Sequence, residues 1–258
     1  MRRILLTTLI AILTLGMAHA QSAAREYYEL RVYNYTGDSL ERRLDNYLGK
    51  ALVPALHRAG ISKVGVFKSS HHDTATNRRF VVLIPYRSLN MLDSINAIIE
   101  KDKAYQASGA DYINAAHNNA PYQRIEKSIL KAFEGMPATK TPKLTGENKD
   151  RVYELRSYEA ATEKLYRTKV KMFNTGDEVG IFEKLGFNAV FYAEVLAGKA
   201  MPNLMYMTSF DNMASREKHW KAFGDDPAWN KLKADKQYDN TVSRIDIWYL
   251  YPADYSDL

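Results

Sequence analysis

Two sets of three side chains carry the strongest chemical signal in this chain: Glu29, Arg31 and Tyr33, and Glu154, Arg156 and Tyr158. The first set sits in Tyr27-Tyr28-Glu29-Leu30-Arg31-Val32-Tyr33 and the second in Val152-Tyr153-Glu154-Leu155-Arg156-Ser157-Tyr158. The shared pattern is Tyr-Glu-Leu-Arg-x-Tyr, repeated at a distance of about 125 residues. On a strand, residues two apart share a face, so each Glu, Arg and Tyr point the same way. Buried charges of this kind must pair. Two readings follow. In one, Arg31 and Arg156 bind an anionic or carbonyl group, while Tyr33 and Tyr158 donate hydrogen bonds or protons. In the other, the six side chains form an ion-pair network that knits the two halves together and takes no ligand.

Other candidate chemistry is thinner. His57 lies near a helix end, where a cation suits the helix dipole. His71-His72-Asp73 falls in a turn, but adjacent histidines diverge and no third distant ligand is evident, so no metal site is expected. His117 falls in a polar loop. His219 is the sole histidine of the second half available to ligate a heme; its spacing reads as a packed core or interface residue. There is no G-x-S-x-G, P-loop or dinucleotide G-x-G-x-x-G. The chain has no cysteine, which excludes disulfides, thiolate catalysis and Cys-ligated zinc or iron–sulfur clusters. Met201, Met205, Met207 and Met213 read as core filling. No cofactor is expected, and no motif names a reaction, so the question of enzyme or not stays open.

The elements that must position the six residues repeat as well. Tyr27 to Tyr35 alternates as a strand. A helix follows from the Asp38 or Ser39 cap, with Leu40, Leu44, Tyr47, Leu48, Leu52 and Leu56 at helical spacing, a kink at Pro54 and an end at Gly60. Strands are expected at Lys63 to Lys68 and Arg79 to Tyr86, separated by a polar turn from Ser69 to Asn77. A helix with Leu92, Ile95 and Ile99 comes next, then a broken helical stretch, then a strand from Tyr122 to Leu130. The second half replays this. Val152 to Tyr158 is a strand, and Glu163 to Leu185 a helix bent at Gly176 and Gly180. Strands are expected at Phe187 to Leu196 and Asn203 to Phe210. A helix at Ala214 to Phe223 and a strand at Thr241 to Tyr251 complete it. Asp226-Pro227-Ala228-Trp229 answers Asp102-Lys103-Ala104-Tyr105, and Arg244-Ile245 answers Arg124-Ile125. Anchors recurring at spacings of 125, 124 and 120 mark an internal repeat.

The order β-α-β-β-α-β is ferredoxin-like, a four-stranded antiparallel sheet with both helices on one face. The expected fold class is α+β, two such repeats packed as an intramolecular α/β barrel with helices outside. Residues 21–134 form the first domain, 135–150 a linker rich in Pro, Gly, Thr and Lys, and 151–258 the second domain. Alternation assigns Tyr28, Leu30 and Val32 to the helix layer. It sends Glu29, Arg31, Tyr33, Glu154, Arg156 and Tyr158 into one shared barrel interior.

The chain resembles the NIPSNAP family, part of the dimeric α/β-barrel superfamily. The resemblance rests on the two Tyr-Glu-Leu-Arg-x-Tyr strands and on Phe210-Asp211-Asn212-Met213-Ala214-Ser215-Arg216, Trp220, Phe223 and Asp226-Pro227-Ala228-Trp229. The first half matches more loosely, with Tyr86-Arg87-Ser88-Leu89 and Asp102-Lys103-Ala104-Tyr105, and lacks the Pro and Trp. The resemblance covers most of residues 26–251 as two tandem domains. It implies architecture more than activity. Eukaryotic relatives look like mitochondrial or vesicle-associated interaction proteins, and more distant barrels include cofactor-free monooxygenases and heme-dependent chlorite dismutases and peroxidases. The family often carries a His on its third strand; Arg79 to Tyr86 and Asn203 to Phe210 have none.

The address and partners follow from the ends and the charge. Met1-Arg2-Arg3, the apolar run Ile4 to Met17 and Ala18-His19-Ala20 read as a signal peptide, residues 1–20, cut before Gln21. The expected location is periplasmic or extracellular, with no stable membrane insertion. Net charge is +6, and the loss of Arg2 and Arg3 takes it to +4, with bases and acids mixed along the chain. That distribution does not make a nucleic-acid footprint. The expected partner is a small aromatic or anionic molecule in the barrel interior; a cofactor-free oxygenase or isomerase using that pocket, and an interaction module with a closed interior, are the alternatives. The sequence leaves room for a homo-oligomer.

Overall fold

The computed structural model describes residues 24–74 and 78–258. The expected signal peptide, 1–20, with residues 21–23 and the last three residues of the polar turn, 75–77, lies outside the described residues. Strands are β1 (Tyr27–Tyr35), β2 (Gly65–Ser69), β3 (Arg78–Tyr86), β4 (Arg124–Ala132), β5 (Val152–Glu159), β6 (Phe191–Ala197), β7 (Asn203–Phe210) and β8 (Arg244–Pro252). Helices are α1 (Gly37–Tyr47), α2 (Val53–Arg58), α3 (Leu89–Lys101), α4 (Lys103–Ser108), α5 (Ala110–Ile113), α6 (Glu163–Asn174), α7 (Glu178–Lys184), α8 (Met213–Asp225) and α9 (Pro227–Lys233).

Local rules explain most boundaries. The long first helix is interrupted where a π-turn, Leu48–Leu52, precedes Pro54. Its start differs from expectation: Thr36 is the N-cap residue, and no side chain caps the helix. The helix expected over 163–185 breaks into α6 and α7 at Gly176 and Asp177, the latter in the left-handed region with φ 65°. The repeated Asp-x-Ala-aromatic tetrapeptides are helix caps. Asp102 accepts from the backbone N–H of Ala104 and Tyr105, and Asp226 from those of Ala228 and Trp229.

The strands close into one barrel in the order β1-β3-β2-β8-β5-β7-β6-β4. The halves join at their edges, β2 to β8 and β4 to β6. Every neighbouring pair is antiparallel, so β1 and β5, four strands apart, run in the same direction. The pseudo-twofold therefore lies along the barrel axis. Equivalent residues of the two halves meet at the same end.

Three apolar layers result. The barrel interior takes Tyr28, Leu30, Val32, Val81 and Leu83 from the first half, and Tyr153, Leu155, Phe191, Met205 and Met207 from the second. A second layer packs α1, α2 and α3 on the first sheet, through Tyr33, Leu44, Leu56, Phe80, Val82 and Ile95. A third, richer in aromatic rings, packs α6, α7 and α8 on the second sheet. The strand face that carries Leu30 and Val32 is thus the barrel interior, the reverse of the assignment made from alternation.

Candidate functional site

The reversal moves all six sequence-predicted site residues. Glu29, Arg31, Tyr33, Glu154, Arg156 and Tyr158 lie on the outer face of the barrel, beneath the helices, in two separate seams. The interior of an eight-stranded barrel is just wide enough for side chains to fill. Its central layers here are apolar and offer an ion pair nothing to bond. The outer face receives partners from the helices.

In the first seam, Arg31 Nε and Nη2 donate to the two carboxylate oxygens of Glu29 at 2.7 and 2.9 Å. Tyr86 also donates to Glu29, at 3.2 Å, and Lys127 pairs with it at 3.2 Å. Asn96 of α3 accepts from Arg31 at 3.5 Å. Burial pushes the Glu29 carboxyl up, but Arg31 and Lys127 outweigh it and hold it below the usual carboxylate range.

The second seam is denser. Glu154 accepts from Arg156 Nε at 2.6 Å, from Arg216 Nε at 2.8 Å and from Trp220 Nε1 at 2.8 Å. Arg156 also lies 3.8 Å from the Trp220 ring centroid and donates to the Tyr158 hydroxyl, which bonds that of Tyr206 at 2.8 Å. Burial raises the Glu154 carboxyl and the bonds from Arg216, Arg156 and Trp220 bring it below its ordinary value. Arg216 and Trp220 stand in α8, so this seam fastens a helix to its own sheet. Glu–Arg pairing runs at i, i+2 within each half and not across the pseudo-twofold. Both carboxylates are fully engaged by protein donors.

His57 and His219 are held by protein groups. His57 meets Asp257 at 2.8 Å. His219 Nδ1 bonds the Ser215 carbonyl at 2.6 Å and its ring packs on Phe187 and Phe210. The rings of His71 and His72 lie side by side.

An open site lies elsewhere, at the barrel end where β1 and β5 finish. The opposite end is plugged by Leu144 of the linker and by Leu258. At the open end the interior side chains change from apolar to polar. Deepest are Leu30 and Ser128 in the first half, and Leu155 and Trp248 in the second. Above them Val32 and Glu126 answer Ser157 and Asp246. At the rim, Arg79 opposite Asn34 answers Asn203 opposite Glu159. A cavity of about 320 Å³ opens here, floored by Leu30, Val32, Met205 and Trp248 and overhung by Lys199 and Ala200 of the β6–β7 loop.

Two buried groups at this mouth are short of partners. Asn203, 2% exposed, donates its amide to Ser157 Oγ at 2.7 Å, and its carbonyl oxygen has no partner. Arg79 bonds Asp73 at 3.2 Å and stacks 4.3 Å above Trp248, while its Nε–H is unpartnered. Burial lowers the Arg79 pKa against the pull of Asp73, Glu126 and Asp246. The surrounding charges are matched, Lys199 with Glu126 and Arg244 with Asp246. Sequence reasoning missed this site. Arg79 is the second residue of β3 and Asn203 the first of β7, and the signal that joins them is the strand register.

The NIPSNAP family model matches residues 153–257. Among curated proteins no sequence matches. A candidate monooxygenase from Fusobacterium nucleatum subsp. nucleatum ATCC 25586 is 10% identical, with 89% of this chain and 93% of that chain covered and a TM-score of 0.56. A candidate monooxygenase from Lactobacillus acidophilus NCFM is 8% identical over 88% of this chain and 94% of that one, with a TM-score of 0.57. A NIPSNAP family protein from Agrobacterium tumefaciens str. C58 is 17% identical over 45% of this chain and 98% of its own, with a TM-score of 0.37. At these identities the likeness of the first two structures speaks for the fold alone. The second half of this chain, residues 153–257, matches the NIPSNAP family model, and with a first half of the same topology it closes an eight-stranded α/β barrel.

Proposed function

We propose that this protein binds a small amphipathic molecule in the mouth of its barrel. The carrying observation is Asn203, which lines the cavity and holds a buried carbonyl oxygen without a partner, beside a floor of Leu30, Val32, Met205 and Trp248. A buried polar atom without a partner costs about 1–3 kcal/mol, and a ligand that supplies the missing bonds removes that cost. The apolar floor and the Trp248 indole suit an aromatic or aliphatic body. The polar end of the ligand would donate to Asn203, as a carboxylic acid, a primary amide or a phenol can, while Arg79, stacked on Trp248, adds a cation behind the cavity floor. Export belongs to the same reading: the N-terminal pattern Met1 to Ala20 would deliver a binding protein outside the cytoplasm, cut before Gln21.

Native mass spectrometry of the protein purified from its own host tests the binding. The reading expects an adduct of small-molecule mass that Met205→Trp, which fills the mouth, removes. With small amides and phenols that carry no acid group, an adduct retained by Met205→Trp, or none at all in the wild type, contradicts it. The mass of the mature N-terminus tests the export: a chain that still carries residues 1–20 refutes cleavage.

A further inference from the structure

The linker covers a second cavity, remote from the barrel mouth. It measures about 290 Å³ and lies between Met136 to Lys143 of the linker, α7, and Tyr192 of β6. Phe182 and Phe187 wall it with rings 4.7 Å apart at 66°. Lys140 and Lys143 stand at its outer side, Lys140 paired with Glu183 at 3.1 Å.

Tyr192 is the unusual member. It is 1% exposed, lines this cavity, and its hydroxyl has no partner. Register makes Val66 its equivalent in the first half, since Tyr192 lies opposite Tyr206 and Val66 opposite Val82. The ring packs among Phe133, Phe182 and Tyr206, and a phenylalanine would fill that volume without a stranded hydroxyl. Burial, with Glu178 and Glu183 nearby, keeps the hydroxyl protonated, so it is a donor awaiting an acceptor.

The two halves also differ in what runs past this place. In the first half the C-terminal peptide is pinned there, with Asp257 N–H on the Val64 carbonyl and the Asp257 carboxylate on Val64 N–H and His57. In the second half the linker passes instead, and Lys140 N–H bonds the Val190 carbonyl. The second half has no such carboxylate among these contacts, and lysines stand beside the opening.

From these observations we infer that the linker roofs a binding site for a flat, monocyclic aromatic acid with an oxygen at its inner end. The oxygen accepts from Tyr192, the ring lies against Phe182 and Phe187, and the acid group meets Lys140 and Lys143 at the rim. The site is distinct from the barrel mouth and is built by one half and the linker alone.

Calorimetric titration of the full chain with 4-hydroxybenzoate tests this. The expected result is saturable binding that Tyr192→Phe and Lys143→Glu each weaken at least tenfold and that Met205→Trp in the barrel mouth leaves unchanged. Lys143 is exposed, so its variant reads the site without disturbing the core. Absence of binding to the wild-type chain overturns the inference. So does unaltered affinity in Lys143→Glu or in folded Tyr192→Phe. Loss of binding in folded Met205→Trp would assign the ligand to the mouth and overturn it equally, while leaving the barrel-mouth reading intact.

Discussion

Arg79 and Asn203 occupy the same register position in the two halves of the barrel: Arg79 lies opposite Asn34 on β1, and Asn203 opposite Glu159 on β5. The pseudo-twofold along the barrel axis puts both at one rim. The duplication has kept the backbone position and diverged the chemistry, guanidinium on one side and carboxamide on the other. Asymmetric groups at symmetric places give an asymmetric mouth, suited to a ligand with distinct ends.

The outer seams predict stability effects, strongest in the second half. Glu154→Ala leaves Arg156 and Arg216 without their shared carboxylate beneath α8. The expected loss is about 3–5 kcal/mol, measured by chemical denaturation. Glu29→Ala is expected to cost less, because one of its partners, Lys127, is 52% exposed and can turn to water.

Acid should weaken the fold through the same two carboxylates. Glu29 and Glu154 both sit below the ordinary value of 4.5 in the folded protein. Their contribution is therefore fully present above about pH 4.5, the unfolded value, and is lost as pH falls through the lower folded values. Denaturation midpoints followed from pH 6 downward should fall less steeply in Glu154→Gln than in the wild type, because that variant has one fewer such group.

The pair Lys169 and Glu178, bonded at 2.8 Å, is buried in the aromatic layer of the second half. Burial raises the Glu178 carboxyl and Lys169 opposes it. Lys169→Met alone strands a buried acid and should destabilise by about 3–5 kcal/mol. Adding Glu178→Leu should restore most of that loss. Denaturation of the two variants and the double variant measures the coupling.

Gly146 holds the linker against the second domain. A Cβ there would stand 2.5 Å from the Asp211 carbonyl oxygen, whose own side chain accepts from Thr145 and Gly146 N–H. Gly146→Ala should cost about 1–3 kcal/mol in thermal or chemical unfolding.

Much of this architecture was legible in the residues. The repeated strand, the Asp-x-Ala-aromatic caps and the β-α-β-β-α-β order specify two ferredoxin-like halves, because each depends on neighbours close in sequence. The direction of Glu29, Arg31 and Tyr33 was not legible. Alternation separates Leu30 and Val32 from Glu29 and Arg31, but both faces of this sheet are covered. Which face becomes the barrel interior depends on partners far along the chain, Arg216 and Trp220 for Glu154. The mouth was hidden for a similar reason. Arg79 and Asn203 are 124 residues apart, and only the pairing of β1 with β3 and of β5 with β7 shows them to be equivalent.

The barrel-mouth account is tested most directly by titrating 1-anilinonaphthalene-8-sulfonate, whose anilino N–H can donate to Asn203, into the folded protein and into Met205→Trp and Asn203→Leu, with Lys143→Glu added to every protein so that the linker cavity does not report. The account predicts saturable fluorescence enhancement with the mouth intact, its loss in Met205→Trp, and altered affinity in Asn203→Leu. Equal enhancement in all three folded proteins, or none with the mouth intact, would contradict it.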